Sequence, residues 1–525
     1  MAAVGAVLLV AYVNVASLLS ARGLRRRHEV AVRNALGGGA ADLVRHVLAE
    51  SALLAGIGGV VGLGVAHACL RLAVAAAPLE VPRLIEVGID GLALAVAAGA
   101  AAVSAIGCGL PPAWRASRTA PAAVLKADAR AGSDRSWHRF GDLLVGVQVT
   151  LTVVLLVAGG LLLVSFVRVM QVDRGFEPAS VVAVDLNLPA SRYDPARRTQ
   201  LHDDLLARLA AAPVVSSAGI TQRLPLEGEA WVDTLIPAGD TPPGPAEMAA
   251  LLGNYRFVSP DYFRTLGMVL TRGRLFTEED RTRPVAVVTA QTASRLWPDL
   301  NPVGQRFLGG NSREPHEVVG VVGDARILGL DVDPGLVAYL PYWGLAPSSV
   351  TVVARGPETR AVVASVREGV RGLDPLLPVS NLRVLDEVLA ASVAVRRFLL
   401  LVTVGFAIAG LALVCLGVFG TVSQRAVRRR REFAIRLTLG ATRGRIVATC
   451  ALQGLRPVAA GLSVGLVVSL ATARFIEALL FDVAPLDPVV LGGAAVVVLG
   501  LGAVACLVPA ARALRAPPAR TLNAD

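Results

Sequence analysis

Two short charged segments hold the residues whose types and spacing could do chemistry. Arg22, Arg26, Glu29 and Arg33 stand at intervals of four, three and four, and Arg425, Arg429, Glu432 and Arg436 repeat the same intervals. On a helix these positions share one face, and Glu29 with Arg33, like Glu432 with Arg436, forms an i,i+4 pair. Gly37 and Gly440 follow, and a glycine in the left-handed conformation ends a helix at such a point. A helix of this kind either lies solvated beside anionic lipid or docks a cytoplasmic partner.

Signals for covalent or metal chemistry are absent from the pattern. The six histidines show no ligand spacing, so neither a metal nor another cofactor is expected. Lys126 is the one lysine, and no glycine-rich turn precedes it, so this chain by itself cannot be a P-loop ATPase. Cys69, Cys108, Cys415, Cys450 and Cys506 all lie in or near apolar runs, which excludes a disulfide framework between residues 170 and 395. Asp261, Arg272, Arg274 and Asp324 stand among glycine, proline and aromatic residues and read as turn and capping groups. The apolar runs contain no paired carboxylates, histidine cluster or activated nucleophile, so no enzyme is expected.

The elements that must position the charged segments are membrane helices. Hydrophobic residues make up 54% of the 525 and charged ones only 17%, against about 25% charged in soluble domains. Seven stretches lack formal charge for about the length of a bilayer: Ala2 to Ala21, Ser51 to Leu70, Leu92 to Leu110, Leu143 to Val167, Phe398 to Gln424, Pro457 to Ala473 and Pro488 to Ala511. The sixth is short enough that its helix should extend past Arg456 or Arg474. Arginines cluster at 22–45, 112–141, 425–448 and in the tail, all on one side if the seven spans hold, and the positive-inside rule makes that side cytoplasmic. The net charge of +11 is thereby an orientation signal, and nucleic acid is not an expected partner.

Residues 169–396 then form one extracytoplasmic domain, long enough for a core of its own. Val181 to Leu186, Pro284 to Thr289, Val318 to Val322 and Val350 to Val353 read as strands, whereas Arg198 to Ala211 and Thr359 to Leu373 have helical periodicity. An α/β or α+β domain follows.

The chain also repeats itself. An offset of 403 pairs Glu29-Val30-Ala31-Val32-Arg33 with Glu432-Phe433-Ala434-Ile435-Arg436, and Gly58 and Gly62 with Gly461 and Gly465. An offset of 397 pairs Pro112-Ala113, Arg115-Ala116, Arg118 and Pro121 with Pro509-Ala510, Arg512-Ala513, Arg515 and Pro518. The spacing of the four glycines reads as helix packing. The expected organisation is a three-helix unit at 1–128, a cytoplasmic linker at 129–142, a membrane helix at 143–168, the outer domain at 169–396 and a second three-helix unit at 397–525. Because only the second copy has a leading span and outer domain, the expectation is either an N-terminally incomplete chain, which the start inside an apolar run favours, or a first copy that lost its domain.

These motifs resemble a known family. Glu-x-Ala-x-Arg-x-x-x-Gly in both copies, the closing Pro-Ala-x-Arg-Ala-x-Arg, Ser259 to Gly267, Arg272 to Phe276, Asn301 to Gly304 and Val318 to Asp324 are similar to the MacB/FtsX-type permeases of bacterial ABC systems, in particular the duplicated-permease branch. The resemblance implies an α-helical integral membrane protein of about seven spans with one MacB-like extracytoplasmic α/β core domain, placed in the bacterial cytoplasmic membrane. It further implies a permease subunit that couples a separate cytoplasmic ATPase, contacted by the helices at Glu29 to Gly37 and Glu432 to Gly440, to movement of the outer domain. A second permease chain is a further possible partner. The rival expectations are a scaffold for an extracytoplasmic hydrolase and a ligand sensor that works without an ATPase.

Overall fold

The computed structural model describes residues 40–76, 88–99, 101–103, 134–239, 244–309 and 314–513, with a few isolated positions beyond them. Arg22, Arg26, Glu29, Arg33 and Gly37, and most of the run Ala2 to Ala21, lie outside the described residues. The chain divides into two compact units: a helical unit that ends at Arg168 and resumes at Arg396, and a unit spanning Val169–Val395. In the helical unit α1 is Ala40–Ala76 and α2 is Asp134–Gln171.

The second unit begins with β1 (Val181–Asn187), α3 (Pro195–Ala211) and β2 (Ser217–Thr221). Next come β3 (Trp231–Pro237), α4 (Pro245–Ala250), β4 (Leu252–Val258), α5 (Tyr262–Leu266) and β5 (Leu270–Gly273). After them run β6 (Val285–Thr289), α6 (Ala290–Leu296), β7 (Arg306–Gly309), β8 (His316–Val322) and β9 (Leu336–Pro341). It closes with β10 (Ser349–Arg355), α7 (Thr359–Arg371), β11 (Val379–Val384) and α8 (Leu385–Ser392).

Two substructures share this unit. β1-α3-β2 and β10-α7-β11 form an antiparallel sheet in the order β11-β1-β10-β2, the split-βαβ arrangement of ferredoxin-like folds. Its helices bury Leu201, Leu205 and Leu209 of α3 and Val362, Val366 and Val370 of α7 against Val182, Val184, Ile220 and Val352 of the strands. Asp194 starts α3 by accepting from Arg197 N at 2.7 Å, with Pro195 at the first helical position. The other substructure is inserted between β2 and β10: β4, β3, β7, β8, β6 and β9 pair in a ring that the parallel β4–β9 ladder closes. Closure removes free strand edges and encloses a core of Leu235, Phe307, Val318, Val288 and Ala338. Gly273 and Gly320 face each other across β5 and β8, and a Cβ on either would run into backbone.

The strands and helices read from the sequence are all present to within a few residues, with α3 beginning at Pro195 and α7 ending at Arg371. β2, β3, β4, β5, β7, β9 and β11 lacked a sequence reading. β4 is instructive, because it carries Arg256, whose side chain is 1% exposed. Its guanidinium donates to the Arg223 and Gly228 carbonyls at 2.6 Å and to Asn254 Oδ1 at 3.1 Å, which satisfies a charge that would otherwise forbid burial.

The helical unit resumes with α9 (Ala394–Arg428), α10 (Arg430–Thr438), α11 (Arg443–Ile476) and α12 (Pro488–Ala513). Among the described residues four helices are long and apolar enough to cross a membrane: Gly141–Gln171, Ala394–Ala426, Arg443–Leu479 and Pro488–Arg512. The runs at Ser51 and Leu92 coincide with the shorter apolar helices Ala55–Ala68 and Gly91–Val103 among the described residues. α11 runs through both Arg456 and Arg474.

The duplication is visible in helix starts. The 403-residue offset carries Ala40, first residue of α1, onto Arg443, first residue of α11, and the 397-residue offset carries Gly91 onto Pro488. The same aspartate caps both third helices: Asp90 Oδ1 accepts from Ala93 N at 2.8 Å, and Asp487 Oδ1 accepts from Val489 N at 2.9 Å and Val490 N at 3.3 Å.

His202 on α3 is fully buried, edge-on to Tyr342, and neither ring nitrogen has a hydrogen-bond partner. Burial pushes its pKa down to about 4. The folded protein therefore binds this proton less readily than the unfolded chain, whose histidine titrates near 6.5. Its stability contribution is complete above that pH and is lost as pH falls toward 4, a loss on the order of 3 kcal/mol. Urea unfolding of the detergent-solubilised protein, followed by tryptophan fluorescence between pH 7 and 4, should show that decline. His202→Phe should reduce it, leaving the part contributed by His316, whose pKa burial also lowers.

Candidate functional site

The described copy of the charged segment is a short helix held between two spans. Arg429, in a turn conformation, separates α9 from α10, so the four charged residues do not share one continuous helix. Arg425 belongs to the end of α9 and forms an ion pair with Asp142 of α2. Arg429 Nη1 donates to Gln453 Oε1 of α11 at 3.0 Å. Glu432 accepts from Arg436 Nη2 at 2.5 Å on α10 itself. Phe433 is buried with Ala426 and Ile446, which fixes α10 to the helices on either side.

The helix ends in a Schellman motif. Gly440 has φ of 92°, its N–H bonds the Leu437 carbonyl at 3.1 Å, and the Ala441 N–H bonds the Arg436 carbonyl at 3.0 Å. Only glycine takes that φ without strain, and the turn releases the chain into α11. What α10 presents outward is not purely charged: Ile435 is 47% and Leu439 81% exposed, one turn apart, beside Arg436. The sequence reading missed this apolar pair. Its signal was available, since Val32 and Leu36 occupy the equivalent positions of the first copy.

Gly461 and Gly465 meet α2. A Cβ on Gly461 would lie 2.5 Å from the Gly146 carbonyl oxygen, and one on Gly465 would lie 2.7 Å from Val153 Cβ. Thr150 Oγ1 donates to the Gly461 carbonyl at 3.0 Å across the same contact. At Gly58 and Gly62 of α1 a Cβ would meet nothing within 4 Å among the described residues.

In the outer unit the charged residues near turns are engaged locally. Arg274 grips Asp280 through two hydrogen bonds of 2.6 and 2.8 Å, which holds that buried carboxyl well below the usual carboxylate range. Asp324 Oδ1 caps the Gln291 N–H at 2.8 Å, and Asp261 pairs with Arg264 at 3.3 Å. No group of three or more potential metal ligands occurs among the described residues.

Helices long and apolar enough to cross a membrane and a separate α/β unit define an integral membrane protein. Comparison with known proteins agrees: the MacB-like periplasmic core domain model matches residues 149–371, and the FtsX-like permease C-terminal model matches twice, at 1–121 and 404–518. The chain belongs to the MacB/FtsX-type permeases of ABC systems, and is an inner-membrane protein with an extracytoplasmic domain.

Among curated relatives, the macrolide export ATP-binding/permease protein MacB of Agrobacterium fabrum is 26% identical, over 47% of this chain and 39% of that protein. MacB 2 of Aeromonas hydrophila is 27% identical, over 41% of this chain and 35% of its own length. The chain thus spans less than two fifths of these relatives. Among solved structures, the periplasmic region of MacB from Actinobacillus actinomycetemcomitans is 17% identical, with a TM-score of 0.29 over 42% of this chain and 94% of that one. The extracellular domain of the transporter YknZ is 13% identical, with a TM-score of 0.26 over 38% and 100%.

Overpacking the α2–α11 contact should be costly. Gly465→Leu is expected to destabilise the detergent-solubilised protein by about 1–3 kcal/mol and lower its unfolding temperature. Gly492→Leu, at a position where a Cβ meets nothing within 4 Å, should leave it unchanged.

Proposed function

We propose that this chain is the permease subunit of an ABC-type export or mechanotransmission system, and that it couples a separate cytoplasmic ATPase to movement of its outer domain. The observation that carries the reading is the face of α10: exposed Ile435 and Leu439 beside Arg436, on a helix fixed by Phe433 and closed by Gly440. An exposed apolar pair on an otherwise charged segment gains by being covered, and a protein surface covers it better than water. The repetition of the pattern at Val32, Arg33, Leu36 and Gly37 supplies a second contact of the same type, matching two ATPase subunits or a dimeric one. Arg425 and Arg429 serve the fold in this reading, through Asp142 and Gln453, whereas Glu432 and Arg436 form the polar rim of the docking face.

The test is a mild-detergent pulldown of the tagged chain from its native membrane, with bound proteins assayed for ATP hydrolysis. Ile435→Glu and Leu439→Asp should each reduce recovered ATPase at least tenfold, while Glu432→Lys or Arg436→Glu reduces it less. Recovery that is unchanged in all four variants would refute the coupling role.

A further inference from the structure

The ring of strands in the outer unit has an open mouth. Where β4, β7 and β9 end and β3, β6 and β8 begin lies a cavity of about 450 Å³. This falls within the roughly 300–1,000 Å³ of small-molecule sites, which favour the mouths of barrels.

Its walls are aromatic. Trp231 stands edge-on to Phe257, ring centroids 6.5 Å apart, and Tyr255 and Trp343 line the remainder. Trp231 and Leu345 are each 42% exposed at this mouth, large apolar side chains that the fold itself leaves uncovered. Polar groups, among them Asp233, Arg281, Thr282 and Glu314, stand beside the rings. The Tyr255 hydroxyl is spent on the Thr234 carbonyl at 2.7 Å. His316 stacks on Phe307 at 5.7 Å, burial keeps its ring neutral, and its buried Nδ1 makes no hydrogen bond. Because that nitrogen is buried, the imidazole serves the mouth as a flat wall rather than as a polar contact.

The arginines of the lining are already paired. Arg281 is held by Glu278 at 2.5 Å and Asp203 at 3.0 Å with its guanidinium over Trp343, and Arg283 reaches Glu317 at 3.4 Å. Asp233 and Glu314 stand in the same lining, in addition to the carboxylates that already pair with the two arginines. An anionic ligand would be repelled there, whereas a flat aromatic one finds the rings of Trp231, Phe257 and Trp343.

We propose that the barrel mouth binds a planar aromatic small molecule that carries no negative charge, with Trp231, Phe257 and Trp343 as walls. The site belongs to the outer domain alone and stands or falls independently of ATPase coupling.

Benzophenone, which has two rings and one carbonyl oxygen, is a suitable photoreactive probe. The full-length protein in lipid nanodiscs would be irradiated with increasing benzophenone and the adducts mapped by peptide mass spectrometry. Saturable adducts are expected on the peptides bearing Trp231, Tyr255 and Trp343. They should fall about tenfold in Trp231→Ala, which removes one wall and whose side chain is 42% exposed. That variant should retain the wild-type unfolding temperature. Adducts confined to membrane helices, or domain labelling that is non-saturable or equal in wild type and Trp231→Ala, would overturn the proposal.

Discussion

Two helix backbones approach closely at Gly461 and Gly465, and the architecture of the helical unit depends on that contact. Inside a bilayer the hydrophobic effect does not draw helices together, because lipid tails are as apolar as leucine. Association then rests on dispersion at short range, which side chains larger than hydrogen would forbid here. α11 lies close enough to α2 for Thr150 to donate to the Gly461 carbonyl. Once those two helices are seated, Val149 and Val153 of α2 pack with Val458 and Leu462 of α11, and Val498 and Cys506 of α12 join the same core.

At the cytoplasmic end the same economy places the charges. A nine-residue helix such as α10 is far below the length that is stable alone in water. It is held because Phe433 is buried between α9 and α11, because Arg425 and Arg429 reach α2 and α11, and because Gly440 turns the chain back toward the membrane. Replacement of the first copy's Glu50 by Gln453 in the second keeps the acceptor that Arg429 uses, so this difference between the copies preserves the contact rather than removing it. With the interior groups thus occupied, Ile435 and Leu439 are left for something outside the unit.

How far this was legible in the sequence depended on whether a signal was local. Apolar runs, the arginine asymmetry and the repeat needed only composition and order, and so did strands such as Val318 to Val322, whose β-branched residues face a core on both sides. β4 and β2 were not legible, because Leu252–Val258 carries a buried arginine and Ser217–Thr221 a glycine that lets α5 approach the sheet. Their strand state is imposed by partners distant in sequence, β9 and β10. The charged segments illustrate the same limit. Spacing identified the set at Arg425, Arg429, Glu432 and Arg436, but only three-dimensional neighbours separate the members used within the fold from those left at its surface. The barrel mouth had no sequence signature at all, since Trp231, Phe257, His316 and Trp343 come from four different segments that the ring brings to one end.

Under the proposed coupling, α9 has a property that matters for the route of force. It begins two residues after α8 of the outer unit ends and runs 35 residues to Arg428, immediately before α10. At 1.5 Å per residue such a helix is about 50 Å long, well beyond the roughly 30 Å of bilayer hydrocarbon. No proline interrupts it, so displacement of its cytoplasmic end is carried along a stiff rod rather than absorbed by a kink. α11 differs: Pro457 lies inside it, close to the glycines that contact α2, and there the removed backbone hydrogen bond leaves one point at which the span can bend. Under the proposed coupling, a straight α9 beside an α11 that can bend is suited to carrying motion from one end of the helices to the other.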